Sequence, residues 1–454
     1  MNKSRHSYER IITFFPLLSL ILLAFPPATE LIQVDSPSYI DFHTSRTIAY
    51  PAFLWLIRKI TGSLSIVPAI QLTCYALGCS FLAQRLYRLT PIRLGFLLTL
   101  LAISLIIGHP EIIKYHFQAM SESFSLTILL FLLGLWISFT QNPRPKTLAI
   151  ISLLIGLGIL IRPSGYASVS LLALALWLLG KKAFYPPSWL SALVAPLAFM
   201  IFLGSTTNYF VHGFWGTQSF LGLTLIGKVT FIMRENTLTP EPEKYKQLYQ
   251  AVVPIQQVVE KLPTPQARQL LRAPYYDVVR YQIIDQIFPA NHDWNAIWRD
   301  MAFAVIKDNP IGYFQDVLVN YSALWIYPQA TSYESAARFL KQFDQLRPLP
   351  NMEHYPFKLQ GVPAWFALFF HFCFTVAFFI SAYSLMGILL APRRKWIAMA
   401  AGGSWLIHSH YLLTACVQAG LTRYAISLWP AIVVICILFL MQCIHNFNKQ
   451  DYSL

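Results

Sequence analysis

Charged residues are scarce in this chain, and acidic residues are scarcer than basic ones. Of the 454 residues, 12% are charged and 56% are hydrophobic, with 20 Asp and Glu against 34 Lys and Arg. Soluble domains carry about 25% charged residues, so this composition, with a mean hydropathy of +0.50, excludes an ordinary soluble protein. It indicates a chain that lies in a bilayer.

Cysteine is also rare, and its spacing excludes two further classes of protein. The positions match neither a disulfide framework nor a zinc site, so the thiols are expected to pack as small apolar side chains. No metal and no cofactor is expected from any spacing in the chain. The six cysteines fall in or at the ends of apolar stretches, at Cys74, Cys79, Cys373, Cys416, Cys436 and Cys443.

Long apolar runs dominate what remains. A helix needs about 20 mostly apolar residues to cross a bilayer, and the chain contains about ten such stretches. They predict an all-α polytopic membrane protein with a fold built from transmembrane helices. The stretches centre on residues 11–28, 64–83, 94–109, 123–140, 148–161, 165–180, 188–205, 363–390, 396–415 and 425–444.

Basic residues predict the orientation of these stretches, because Lys and Arg are enriched in short cytoplasmic loops. Basic clusters precede the first stretch and follow the second, fourth, sixth and eighth, at residues 3–10, 85–93, 144–146, 181–182 and 393–395. Both termini are then cytoplasmic. The formal charge of +14 is read mainly as this topology signal, with attraction to anionic membrane lipids as a secondary effect. Nucleic acid is not expected as a partner.

Three regions follow from this topology. Residues 1–206 form an N-terminal transmembrane module that includes the first outer loop, residues 29–63. Residues 207–362 form a mainly helical domain on the outer face, and residues 363–454 return as C-terminal transmembrane helices. Within the outer domain, the sequence Asp308 to Phe314 contains Asn-Pro and predicts a helix stop followed by a new helix start.

Acidic residues outside the two tails all fall on the predicted outer side. Part of this distribution follows from the topology itself, because the inner loops are short and basic. Asp35 is in the first outer loop, ahead of a stretch at 46–59 that is amphipathic and predicts a helix in the membrane interface. An acid at this position could serve as a base facing lipid head groups. It could equally cap a helix or form an Asx-turn, and the residues alone leave both open.

Four short motifs share their order and topological positions with one known superfamily. The motifs are Asp35 to Tyr39 with Arg46 to Phe53, Met120 to Phe124, Gly156 to Pro163, and Thr422 to Tyr424 with Pro430. Through them the chain resembles the GT-C superfamily of integral-membrane glycosyltransferases, which take sugar from a polyprenyl-phosphate carrier and include protein mannosyltransferases and lipid A aminoarabinose transferases. The resemblance covers roughly residues 1–210 and 363–445.

The chain departs from the superfamily pattern in the first outer loop. Ile48-Ala49 stands where the superfamily often has Pro-Gly, and Asp35-Ser36 stands in place of an adjacent pair of acids. A metal ion bound by such a pair in some relatives is therefore not expected here.

The resemblance implies roles for individual residues. Asp35 is the expected catalytic base, taking a proton from the acceptor hydroxyl or amine, and the reaction is expected to invert the anomeric centre. The expected donor-phosphate ligands are Arg162, Arg423 and Lys114. The expected substrate contacts are Glu122, Tyr39, Arg46, His116 and Tyr424.

Several of these residues have structural explanations that stay open beside the functional ones. A single interfacial arginine such as Arg162 or Arg423 can snorkel to lipid phosphates. Glu122 can act as an acid at a helix N-terminus, and Lys114 can be simply solvated.

The expected function is that of a glycosyltransferase with a periplasmic active site in a bacterial inner membrane. Its expected partners are a polyprenyl-phosphate-sugar donor and a glycolipid, polysaccharide or protein acceptor. The alternative is a polytopic transporter or a lipid or glycolipid flippase. Such proteins often have internal repeats with broken helices at matching positions, and the halves of this sequence show no convincing repeat.

Overall fold

The computed structural model describes residues 2–23, 31–33, 35–90, 93–180, 187–260, 279, 283–288, 294–325, 364–391, 394–418 and 422–450. Every regular element in these ranges is helical, which confirms the predicted all-α class.

The helices of the N-terminal half are α1 (Asn2–Leu23), α2 (Ser36–Ile40), α3 (Ala49–Thr61), α4 (Val67–Leu89), α5 (Arg93–Ile107), α6 (Pro110–Phe117), α7 (Glu122–Gln141), α8 (Pro145–Ile161), a 3-10 helix (Pro163–Val169), α9 (Ser170–Leu179) and α10 (Ser188–His212).

The remaining helices are α11 (Leu221–Val229), α12 (Pro242–Glu260), α13 (Ile284–Ile287), α14 (Asn295–Asp308), α15 (Pro310–Trp325), α16 (Ala364–Leu390), α17 (Lys395–Val417), α18 (Thr422–Ile426) and α19 (Trp429–Gln450).

Membrane-spanning capacity is clearest in four helices of the described ranges. Helices α7 and α10 and the segments Leu368–Leu390 and Trp429–Asn446 are long and apolar enough to cross a bilayer. Helices α5 and α6 form a fifth candidate if they act together, with a bend of 58° between them. Such helices fit an integral membrane protein. They are fewer than the predicted stretches of about 20 residues, because some of those stretches fold as shorter or bent helices.

The chain divides into two compact units. The first comprises residues 1–218, 373–410 and 426–454. In it, α8 packs along α10, α4 packs against α1 and α7, and α19 packs against α5. Small residues permit the closest of these approaches, since a Cβ atom on Gly156 of α8 would lie 2.6 Å from Cβ of Met200 on α10. Close packing at small residues is typical of helices in membranes.

The second unit comprises residues 219–372 and 411–425. Its core contains buried side chains from α11, α12 and α14, among them Ile226, Leu248 and Met301. The predicted helix stop and start is confirmed. Helix α14 ends at Asp308 and α15 begins at Pro310. Between them, Oδ1 of Asn309 accepts a hydrogen bond of 3.1 Å from N–H of Gly312.

The first loop, residues 29–63, contains α2 and α3. The predicted amphipathic helix is confirmed in α3, where Tyr50 and Leu54 are buried while Trp55 keeps 53% of its surface exposed. Tyr39 of α2 joins Tyr50 and Leu54 in a small apolar cluster. This cluster holds α2 and the residue before it, Asp35, in a defined place on the first unit.

Candidate functional site

Asp35 lies at the N-terminal cap position of α2, but its side chain makes no capping hydrogen bond. Its Oδ1 instead accepts a hydrogen bond of 2.8 Å from Nη2 of Arg46. Each of the two side chains keeps 23% of its surface exposed. The carboxylate is therefore paired with a guanidinium and still reachable by a ligand.

Arg46 is held from several directions. Its Nε donates to Oγ of Ser38 at 2.7 Å, its Nη1 donates to the hydroxyl of Tyr39 at 3.2 Å, and its guanidinium stacks 4.4 Å from the centre of the Tyr39 ring. With the bond to Asp35, three of its nitrogens donate to groups of the first loop. A guanidinium fixed in this way also fixes the orientation of the carboxylate that it contacts.

Tyr39 links the pair of Asp35 and Arg46 to Ser121, the residue before Glu122. Its hydroxyl shares a hydrogen bond of 2.9 Å with Oγ of Ser121, and its side chain is almost fully buried. Burial raises the pKa of the phenol and Arg46 opposes this, while Glu122, Arg162 and Asp35 also act on it electrostatically. The hydroxyl thus bonds to Arg46 and to Ser121.

Hydrogen bonds to backbone carbonyls fix the second loop, residues 118–121, against the first loop and α4. Oγ of Ser36 donates to the carbonyl of Ala119 at 3.1 Å, and N–H of Ala119 donates to the carbonyl of Leu31 at 2.8 Å. Gln71 on α4 is fully buried and donates from Nε2 to the carbonyl of Gln118 at 2.9 Å. These bonds determine the distance between Asp35 and the start of α7.

Glu122 and Arg162 form the second charged pair, with 2.8 Å between Oε1 and Nη1. The Glu122 side chain is 3% exposed and the Arg162 side chain 12%. Glu122 is the first residue of α7. Arg162 follows α8 in an extended conformation with φ of −154°, because the residue before a proline, here Pro163, is disfavoured in a helix. The proline thus directs Arg162 out of α8.

Gly165 allows the chain to turn back tightly against α8 immediately after Arg162. A Cβ atom at this glycine would lie 2.5 Å from the carbonyl carbon of Gly158 and 2.6 Å from N of Ile159, both backbone atoms that cannot move aside. The glycine is therefore part of what positions Arg162.

Gly165→Ala is expected to destabilise the protein by about 1–3 kcal/mol, the usual cost of overpacking, and to displace Arg162 from Glu122. Gly158→Ala is the matched control, because its Cβ would meet only Cγ2 of Ile128 at 3.7 Å and alanine favours a helix by about 0.5–1 kcal/mol. Thermal unfolding in detergent measures both variants. Equal stability of the two alanine variants would contradict this account of the turn.

Other predicted site residues have partners of their own. His116 is fully buried, shares a hydrogen bond of 2.7 Å between Nδ1 and Oγ of Ser123, and lies 4.1 Å from the ring of Tyr75. Nζ of Lys114 lies 2.7 Å from Oε1 of Glu111. Lys114 is thus not a simply solvated lysine.

Asp35, Arg46, Tyr39, Glu122 and Arg162 are hereafter called the charged cluster, and Lys114 is not part of it.

Arg423 and Tyr424 belong to the second unit, whereas the charged cluster is described within the first unit alone. Tyr424 is buried on α18. The side chain of Arg423 lies outside the described residues.

Sequence reasoning identified the members of the charged cluster but not their pairing as two ion pairs, and it missed Ser121. Within the described residues, no group of three or more His, Cys, Asp or Glu side chains could hold a metal ion. The cluster nevertheless offers what group transfer from a phosphate needs: a reachable carboxylate and a guanidinium at one place.

Comparison with known proteins adds no relative: no family model, no curated protein sequence and no solved structure matches this chain. A function for the chain must therefore come from the chemistry of its own residues and from the motifs that they form.

Proposed function

We propose that the protein is a membrane glycosyltransferase that moves a sugar from a polyprenyl-phosphate donor to a hydroxyl or amine of an acceptor. The observation that supports it is the charged cluster, in which Asp35 and Glu122, 87 residues apart in sequence (122 − 35), each pair with an arginine around Tyr39. The motif resemblance supplies the reaction class, and the cluster brings three of the motifs together in the first unit.

Asp35 acts as the base in this proposal. The acceptor oxygen or nitrogen attacks the anomeric carbon, Asp35 takes its proton, and the bond from that carbon to the phosphate oxygen breaks. Attack opposite the leaving group inverts the anomeric centre. One base suffices, because a phosphate leaves without the protonation that a glycosidic oxygen requires. Arg46 holds the carboxylate in position throughout.

Arg162 stabilises the phosphate in this proposal. Cleavage of the donor leaves a polyprenyl phosphate with one more negative charge than the phosphodiester it came from, and an arginine is suited to bind it through two parallel hydrogen bonds. The resemblance adds Arg423 and Lys114 as further phosphate ligands, and His116 and Tyr424 as substrate contacts. Lys114 would first have to leave Glu111.

The proposed setting is a bacterial inner membrane with the active site on the periplasmic face. Both termini lie in the cytoplasm in this proposal, and the chain crosses the bilayer about ten times. The acceptor is a glycolipid, a polysaccharide or a protein, and the outer domain predicted at residues 207–362 contributes to its selection.

Reconstitution in sealed liposomes tests the proposal. The purified protein, given a polyprenyl-phosphate sugar with a labelled sugar and a fraction of envelope glycolipids, is expected to form a labelled glycolipid with a new glycosidic bond. Mass spectrometry of envelope glycolipids from cells with and without the protein should reveal the same product. Passage of labelled substrate across the membrane with no new glycosidic bond would instead identify a transporter or flippase.

A further inference from the structure

We infer that Glu122 competes with lipid phosphates for Arg162 and thereby lowers the affinity of the site for all of them. This inference deepens the proposed function and rests on it, because it concerns the site assigned to the donor phosphate. Glu122 has so far been considered as a residue that helps to bind substrate. The geometry of the charged cluster gives it the opposite effect on affinity for any anion.

The first step is the charge of the cluster. Asp35 and Glu122 contribute two negative charges, and Arg46 and Arg162 contribute two positive charges. The cluster is therefore already compensated before a ligand arrives. A phosphate that binds a guanidinium of this cluster therefore competes with the carboxylate beside it.

The second step is the choice of arginine. Arg46 donates to Ser38 and Tyr39 as well as to Asp35, so a ligand would have to break several bonds to turn it. Arg162 pairs with Glu122 and stands between α8 and the 3-10 helix. The proposed function assigns Arg162 to the donor phosphate, so it is the guanidinium for which Glu122 and a phosphate compete.

The third step is the situation of Glu122 once Arg162 turns to a ligand. Its side chain is 3% exposed, against 23% for Asp35. Its Oε2 is buried and has no hydrogen-bond partner among the residues that the structure describes. A buried carboxylate that loses its cation is strongly disfavoured. This penalty is the same for every phosphate that takes Arg162.

A common penalty keeps the occupancy of the site low in a membrane. Bilayer phospholipids present phosphodiesters to any exposed arginine at high concentration. Because each must compete with Glu122 for Arg162, a phosphate alone binds weakly. Tight binding then requires contacts beyond the phosphate, which in the proposed function are those of the sugar and the polyprenyl chain.

Glu122→Gln removes the negative charge and keeps the size of the side chain. We expect the affinity for polyprenyl monophosphate and for phosphatidylglycerol to rise by the same factor, roughly tenfold, the usual difference for a hydrogen bond to a charged group. Affinity for polyprenol, which lacks the phosphate, is expected not to change. Binding is measured on the full-length protein in nanodiscs, with inorganic phosphate as a further arm that separates lipid-borne from free phosphate.

Two variants serve as controls. Glu9→Gln makes the same substitution in the pair of Glu9 with Arg88, whose atoms lie 3.3 Å apart and whose side chains are more exposed, and it is expected to leave both affinities unchanged. Arg162→Gln is expected to weaken binding of polyprenyl monophosphate. Should Glu122→Gln fail to fold, Glu122→Asp keeps the charge but shortens the side chain, and it is expected to give a smaller gain of the same sign.

The outcomes separate this inference from the proposed function. Tighter binding of both phosphate lipids by Glu122→Gln or Glu122→Asp supports it. Unchanged or weaker binding by the folded variant overturns it, while weaker binding by Arg162→Gln would still leave a donor site at Arg162. If the wild-type protein and every variant fail to bind polyprenyl monophosphate, both the inference and the proposed donor site are wrong.

Discussion

Asp35→Asn is expected to lower the rate of sugar transfer by about 10²- to 10⁴-fold, the usual contribution of a general base. The amide keeps the shape of the carboxylate and can still accept a hydrogen bond from Arg46, which lies 2.8 Å away in the wild type. It cannot take a proton from the acceptor. The loss should therefore appear in the rate of the chemical step, measured as glycolipid formed from a polyprenyl-phosphate donor in liposomes.

Asp41→Asn is the matched control for this substitution. Asp41 ends α2, six residues after Asp35 (41 − 35), and its side chain is exposed. The same change of charge in the same loop is expected to leave transfer within about twofold of wild type, as for most surface substitutions. A folded Asp35→Asn protein with unchanged transfer would exclude Asp35 as the base.

Lys228→Met is expected to destabilise the second unit by about 3–5 kcal/mol. Lys228 on α11 and Asp316 on α15 form an ion pair in which the side chains are 1% and 3% exposed. Asn320 donates a further hydrogen bond of 3.1 Å to Oδ2 of Asp316. Removing the lysine leaves a buried carboxylate without its cation. Thermal unfolding in detergent should show a lower midpoint for the folded variant.

The double variant Lys228→Met with Asp316→Leu tests the cause of this loss. Because two apolar side chains of similar volume often replace a buried ion pair at little cost, the double variant is expected to be more stable than Lys228→Met alone. Arg299→Met, in a pair with Asp300 that is about half exposed, is expected to change stability little. If the double variant loses stability additively, burial of an uncompensated charge is not the reason.

Local sequence predicted a good part of the fold. The amphipathic pattern at 46–59 matches α3, and Asn309 with Pro310 separates α14 from α15. Both signals act over a few residues, through periodicity in one case and proline geometry in the other. Hydropathy alone did not reveal the bend of 58° between α5 and α6.

The sequence indicated which residues belong to the charged cluster, but not which of them pair with each other. Asp35, Tyr39 and Arg46 are close in sequence, and motif resemblance alone added Glu122 and Arg162. No spacing rule connects Glu122 with Arg162, since one begins α7 and the other follows α8. Whether Asp35 caps α2 or faces another partner was equally undecided until Arg46 was found beside it.

The sequence by itself determined the solvent and the kind of structure: a chain with 56% hydrophobic and 12% charged residues is suited to a bilayer, where backbone groups must be satisfied within helices. Only the tertiary structure decided which charges meet. Ion pairs such as Glu122 with Arg162 and Lys228 with Asp316 join residues that are far apart along the chain. Their formation depends on how the helices pack. That packing is the sum of many apolar contacts, and it leaves no local pattern in the sequence.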